Sequence, residues 1–167
     1  SLWNEGKNSI FPQLTNKGNL HTVNRTEQLC LLLASSDDIV IQREKPDPII
    51  CENLRNIGIS IPEIWIPQRF ENDEQYPISE LILRDENLIN KIRQLRSERN
   101  NDEIALAPYA ITHLEEEISR ITGCDLIGTS NDTVAWINSK VNSRLLAEEL
   151  GLPVTEGYIC NNIDDLE

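Results

Sequence analysis

Short apolar runs alternate with stretches of helical periodicity along most of this chain. Asp38-Ile39-Val40-Ile41-Gln42 is a β-branched run that predicts a buried strand, and Glu63-Ile64-Trp65-Ile66, bracketed by Pro62 and Pro67, predicts a second. Glu103 to Ala107 and Cys124 to Ile127 predict two more, and Thr155 to Cys160 reads as a further strand near the end. Between these runs lie helix signals. Thr26 is placed to cap a helix through Gln28 and Leu33. Asp47, with Pro48 in the first turn, opens a helix that runs to Ile57 and stops at Gly58. Asp85 opens a charged helix from Glu86 to Arg99, with Leu88, Ile89, Ile92 and Leu95 along one face. Thr112 and Glu115 make a capping box for Leu114 to Ile121, and Gly123 closes that helix. After a turn at Thr129 to Asp132, Asn138-Ser139-Lys140 leads into an amphipathic helix that ends at Leu150. Arg69 to Ser79 is acidic and irregular, and Asn162 to Glu167 reads as the start of another helix.

Alternating strands and helices of this kind predict an α/β fold, with an open parallel sheet of about four strands and helices on both faces, Rossmann-like in outline. Residues 1–25 read as a poorly structured arm, residues 26–137 as the α/β domain, and residues 138–167 as a helix and strand that begin a second unit.

Composition narrows the function classes. At 167 residues, 39% hydrophobic and 26% charged, the chain has enough apolar material for one domain with a sizeable core. Its net charge of −13 argues against nucleic acid or an anionic membrane as a partner, since either needs a basic patch. No apolar run is long enough to span a bilayer. Cys30, Cys51, Cys124 and Cys160 are scattered, without a CxxC pair, and only His21 and His113 accompany them. That excludes a zinc-type spacing and favours reduced thiols in a cytoplasmic protein.

In open α/β sheets ligands bind at the carboxyl ends of strands, here Gln42 to Lys45, Pro67 to Arg69, Ala107 to Tyr109 and Gly128 to Ser130. Neither GxGxxG nor a P-loop follows a strand, which removes the commonest nucleotide sites for such a sheet. Lys140 then stands out. A lysine at a helix start is most often a solvated surface residue, but its ammonium and the first-turn N–H groups can together hold phosphate oxygens.

An ordered set of segments adds to this. Asp38-Ile39-Val40-Ile41 with Lys45-Pro46-Asp47-Pro48, then Ala107-Pro108-Tyr109-Ala110-Ile111-Thr112, then Asn138-Ser139-Lys140-Val141-Asn142-Ser143-Arg144 and Leu150-Gly151-Leu152-Pro153-Val154 run in order over about residues 26 to 160. The set resembles the N-terminal, pre-ATP-grasp domain of ATP-grasp ligases and the first elements of the nucleotide-binding domain after it, nearest the pheganomycin-type peptide ligase group. The resemblance implies ATP-dependent joining of a carboxylate to an amine through an acylphosphate, with magnesium ions on the phosphates. It implies that Lys140 contacts ATP phosphates, that Tyr109 packs against a substrate, and that Arg43 pairs with a substrate carboxylate in a fork. The substrate implied is a small amino acid or peptide carboxylate. Most ATP and magnesium ligands would belong to the rest of the ATP-grasp domain, so this stretch should not catalyse ligation alone. The other partner expected is that domain, or another protein chain, at the C-terminal strand. A ligand- or protein-binding domain without chemistry is the alternative.

Overall fold

The computed structural model describes residues 24–99, 104–160 and 164. Residues 1–23 of the expected arm, Glu103, and all but Asp164 of the helix start expected after Asn162 lie outside the described residues.

The architecture is mixed α/β. Strands β1 (Ile39–Ile41) and β2 (Glu63–Trp65) pair in parallel, with Ile39 opposite Glu63, Val40 opposite Ile64 and Ile41 opposite Trp65. Strands β3 (Ala105–Leu106) and β4 (Asp125–Leu126) form a second parallel pair, with Ala105 opposite Asp125 and Leu106 opposite Leu126. The expected single sheet of four strands is thus corrected to two pairs of two among the described residues. Proline limits the ladders: Pro62 and Pro67 flank β2 closely and Pro108 follows β3, each lacking the N–H a ladder needs.

The helices are α1 (Pro48–Asn56), α2 (Ile78–Arg84), α3 (Glu86–Glu98), α4 (His113–Thr122), α5 (Asn131–Asn138) and α6 (Lys140–Glu149). Their ends follow local chemistry. Asp47 accepts a hydrogen bond from the Ile49 N–H, and Pro48 supplies a ready-made first turn. At the other end of α1, Gly58 has φ 85° and donates to Arg55 O, while Ile59 donates to Leu54 O. This is a Schellman closure with Ile59 and Leu54 packed in one cluster. Asp85 caps α3 through the Leu88 N–H, and the Thr112–Glu115 capping box opens α4.

Alternation along β1 places the packing. Ile39 and Ile41 pack with Trp65 of β2, with Ile82, Leu88, Ile89, Ile92 and Ile118 of α2, α3 and α4, and with Cys124 just before β4. Val40 turns the other way, toward Leu31 and Leu54, joined by Ile64. The β1–β2 pair is therefore covered on both faces. Ile104 and Leu106 pack on the same larger core, so the second strand pair shares it.

Four local expectations are corrected. Thr26 does not cap an α-helix; it begins a 3-10 helix, Thr26–Leu32, whose preceding residue Arg25 makes no side-chain cap. Ile78 and Ser79, expected in irregular chain, begin α2 (Ile78–Arg84), and Asn131 and Asp132, expected in a turn, begin α5 (Asn131–Asn138). Thr155 to Cys160 is not a strand: it joins no ladder with the described strands. Arg144 holds this stretch instead, donating to Thr155 O at 2.8 Å and Gly157 O at 3.1 Å.

Gly128, just after β4, has φ 143°, and a Cβ there would collide with the Ile111 side chain. Gly58 also has positive φ but opens onto free space. Gly128→Ala is therefore expected to cost about 2–4 kcal/mol, strain plus overpacking, and Gly58→Ala about 1–2 kcal/mol of strain alone. Urea midpoints of the two variants check the order; equal losses would mean that the close approach at Ile111 is unimportant.

Candidate functional site

Two strand ends and one helix start hold the candidate residues. Lys140 is the first residue of α6 and is exposed. Ser139 caps that helix, its Oγ accepting from the Asn142 N–H at 3.3 Å. The first turn is braced against α5: Asn142 Nδ2 donates to Trp136 O at 3.0 Å, and Ser143 Oγ donates to Ile137 O. A ten-residue helix with its leading N–H groups and a lysine at the same end presents positive potential to solvent.

Tyr109 follows β3 and is 91% exposed, so its ring does not serve the core. It is free to meet a ligand. Arg43 follows β1 and is only 6% exposed. Its guanidinium is committed within the chain: Nη1 donates to Asp73 O and Nη2 to Tyr76 O, each at 2.6 Å. The Glu27 carboxylate lies 3.4 Å from Nη2 and accepts from the Arg43 backbone N–H at 2.9 Å. The fork expected to face a substrate thus faces the chain's own 69–76 segment. No hydrogen bond or ion pair among the described residues joins Lys140, Tyr109 and Arg43 to one another.

Around Arg43 the structure assembles a buried polar centre that the sequence pattern did not reveal. Asp73 is 2% exposed, and its Oδ2 lies 2.7 Å from Arg69 Nε, close enough for strong attraction though misaligned for a hydrogen bond. Burial pushes the Glu27 carboxyl above its usual range, against the opposing hydrogen bonds and charge of Arg43. The Cys30 thiol is pushed up by burial and by the Glu27 charge, so it stays protonated near neutral pH and is a poor nucleophile. Only the i,i+4 spacing of Arg69 and Asp73 was visible in advance. The partners of Arg43 lie 16 to 33 residues away.

A second buried carboxylate, Glu115, accepts from Ser79 Oγ, from Thr112 N at 2.8 Å and from Thr112 Oγ1 at 2.5 Å. It is a saturated structural acceptor, with little left for acid–base work. Among the described residues no three His, Cys, Asp or Glu side chains converge as a metal site. All four cysteines are free thiols. Among the described residues no helix is long and apolar enough to cross a membrane.

No family model, curated protein or solved structure matches this chain. What it does is to be read from its own residues.

The raised Glu27 value fixes the sign of a pH effect. A carboxyl whose folded value exceeds its unfolded one favours the fold most when protonated, and that contribution is lost as pH rises from the unfolded value through the folded one. Relative to Glu27→Gln, the native protein is therefore expected to lose stability between acid and neutral pH. Paired melting curves across that range check it; a constant difference, or a native protein that gains, would contradict the burial of a charged Glu27.

Proposed function

We propose that this chain is the N-terminal, substrate-side part of an ATP-dependent carboxylate–amine ligase of the ATP-grasp kind, resembling the pheganomycin-type peptide ligases. The observation that carries the reading is Lys140, an exposed lysine at the first position of a capped, braced helix, within the ordered segments that resemble that family.

In the proposed reaction a substrate carboxylate oxygen attacks the γ-phosphorus of ATP, ADP leaves, and an acylphosphate forms. An amine then attacks the acyl carbon, phosphate leaves, and an amide results. Magnesium bound to the nucleotide offsets the phosphate charge. Lys140 contributes a point charge and α6 its free N–H groups, which suit phosphate oxygens. Tyr109 offers an exposed ring for a substrate, and Arg43 a guanidinium for its carboxylate. The chain's part is substrate binding and one phosphate contact, with the remaining nucleotide and magnesium ligands supplied by the rest of an ATP-grasp domain. A cytoplasmic setting suits this use of ATP and the free thiols.

A second reading is a ligand- or protein-interaction domain derived from such an enzyme. It is favoured by the apolar side chains that α5, α6 and the following residues leave exposed, among them Trp136, Leu145, Leu150 and Leu152. Under the first reading that face meets the rest of the ligase; under the second, another protein chain.

Nucleotide binding separates the two. Lys140→Ala is expected to weaken binding of magnesium–ATP about tenfold, the loss of one charge-assisted contact, without changing the melting temperature. Titration calorimetry measures it with both proteins joined to the rest of an ATP-grasp domain, since this chain is proposed to make only one phosphate contact. No detectable ATP binding, or equal affinity in the variant, would remove the ligase reading and leave the interaction domain.

A further inference from the structure

We propose that the 69–76 segment is a strap latched across the carboxyl end of β1, and that it competes with a ligand carboxylate for the Arg43 guanidinium. This rests on the reading of Arg43 as a substrate-carboxylate group, and adds that the group is masked in the closed form.

The chemistry of the latch points to such an exchange. Two main-chain carbonyls, Asp73 O and Tyr76 O, each accept from one of the two Nη nitrogens, the donors that a carboxylate also engages. They are neutral acceptors, and a carboxylate in the same fork makes charge-assisted bonds roughly twice as strong. The Nε of Arg43 is buried without a hydrogen-bond partner, so the strap satisfies this cation only in part. The strap has few other ties. Asn24 Nδ2 donates to Glu74 O at 3.0 Å, and Arg84 stacks 3.9 Å from the centre of the Tyr76 ring. Asn72 sits at φ 56°, a left-handed conformation that costs a residue other than glycine some energy.

Charge is consistent with exchange. In the closed form Arg43 and Arg69 balance Glu27 and Asp73. Lifting the strap takes Asp73 and Arg69 away together, leaving Arg43 with Glu27, which still meets Nη2 at 3.4 Å, while Nη1 loses its acceptor and Nη2 its shorter one. A ligand carboxylate would take the places of the two carbonyls, beside Glu27. Release therefore couples substrate arrival to opening of the strand ends, where Gln42 lies 1% exposed with both amide atoms lacking a hydrogen-bond partner.

Amide hydrogen exchange of the whole chain tests this without ATP. Arg43→Gln and Arg69→Ala are each expected to speed exchange across 69–76 about tenfold or more, while α3 and α4 keep native rates. Titrating the native protein with N-acetylalanine, a capped amino acid with a free carboxylate, is expected to speed exchange in the same segment. N-acetylalanine amide, the uncharged control, is expected to leave it unchanged. Native rates in the variants overturn the latch, and so does a native segment that ignores the acid or answers the amide equally. Should Arg43→Gln fail to fold, Arg69→Ala and the titration decide. A failed strap with intact Lys140-dependent ATP binding would sink this proposal alone; lost ATP binding with a responsive strap would sink the ligase reading alone.

Discussion

Packing throughout the larger part of this molecule depends on the alternation of three residues, Ile39, Val40 and Ile41. The outer two enter the core built by α2, α3 and α4, and the middle one enters the cluster with Leu31 and Leu54. A slip of one residue in the β1–β2 register would exchange the two sets, since side chains alternate strictly along a strand. The ladder itself spans three residue pairs and holds the register only weakly. Packing on both faces does most of that work. It also fixes what comes next in the chain: Gln42 and Arg43 leave β1 in a direction set by the residues before them.

Arg43 is the electrostatic counterpart of that constraint. A buried guanidinium is costly unless its charge and donors are matched. Here the matching comes from Glu27 in the 3-10 helix and from two carbonyls of the segment after β2. One side chain thus ties together three parts of the chain that hydrophobic packing alone would leave loosely related. In a chain of net charge −13, an inward-facing cation is also a place where acidic neighbours are gathered rather than repelled. The upward push on Glu27 shows that the matching is incomplete: burial outweighs the attraction of Arg43.

Much of the helical skeleton was legible in the sequence because helix ends are decided locally. Asp47 with Pro48, Asp85, the Thr112–Glu115 box, Gly58 and Gly123 each act within a turn of their own position, and each lies where the pattern placed it. Helix α2 was missed because it is short and preceded by Pro77 without a side-chain cap. Helix α5 had a signal in Ser130, whose Oγ accepts from the Thr133 N–H, but the polar residues around it looked like a turn. The β1, β2, β3 and β4 segments and their parallel direction were found, and their division into two pairs was not, since that is decided between residues far apart. The same holds at the site. Lys140 at a capped helix start could be read from Ser139 next to it, whereas the partners of Arg43 could not, because Asp73 and Tyr76 are distant in the chain.

The α5–α6 unit is organised differently from the rest, and this bears on Lys140. Neither helix buries a residue, and short helices gain little stability from propensity alone. Polar bracing takes the place of a core. Asn142 and Ser143 satisfy carbonyls at the end of α5, Gly151 and Leu152 close α6 through Glu148 O and Ala147 O, and Arg144 gathers the residues beyond. The backbone amides beside Lys140 are thereby held in place without help from the hydrophobic core. Their position relative to the β1 end depends instead on the connection that leaves β4. There Gly128 passes tightly over Ile111, and the Asn131 N–H donates to Glu116 on α4. Any chemistry that uses Lys140 together with Arg43 therefore relies on a glycine and one carboxylate that touch neither reactant.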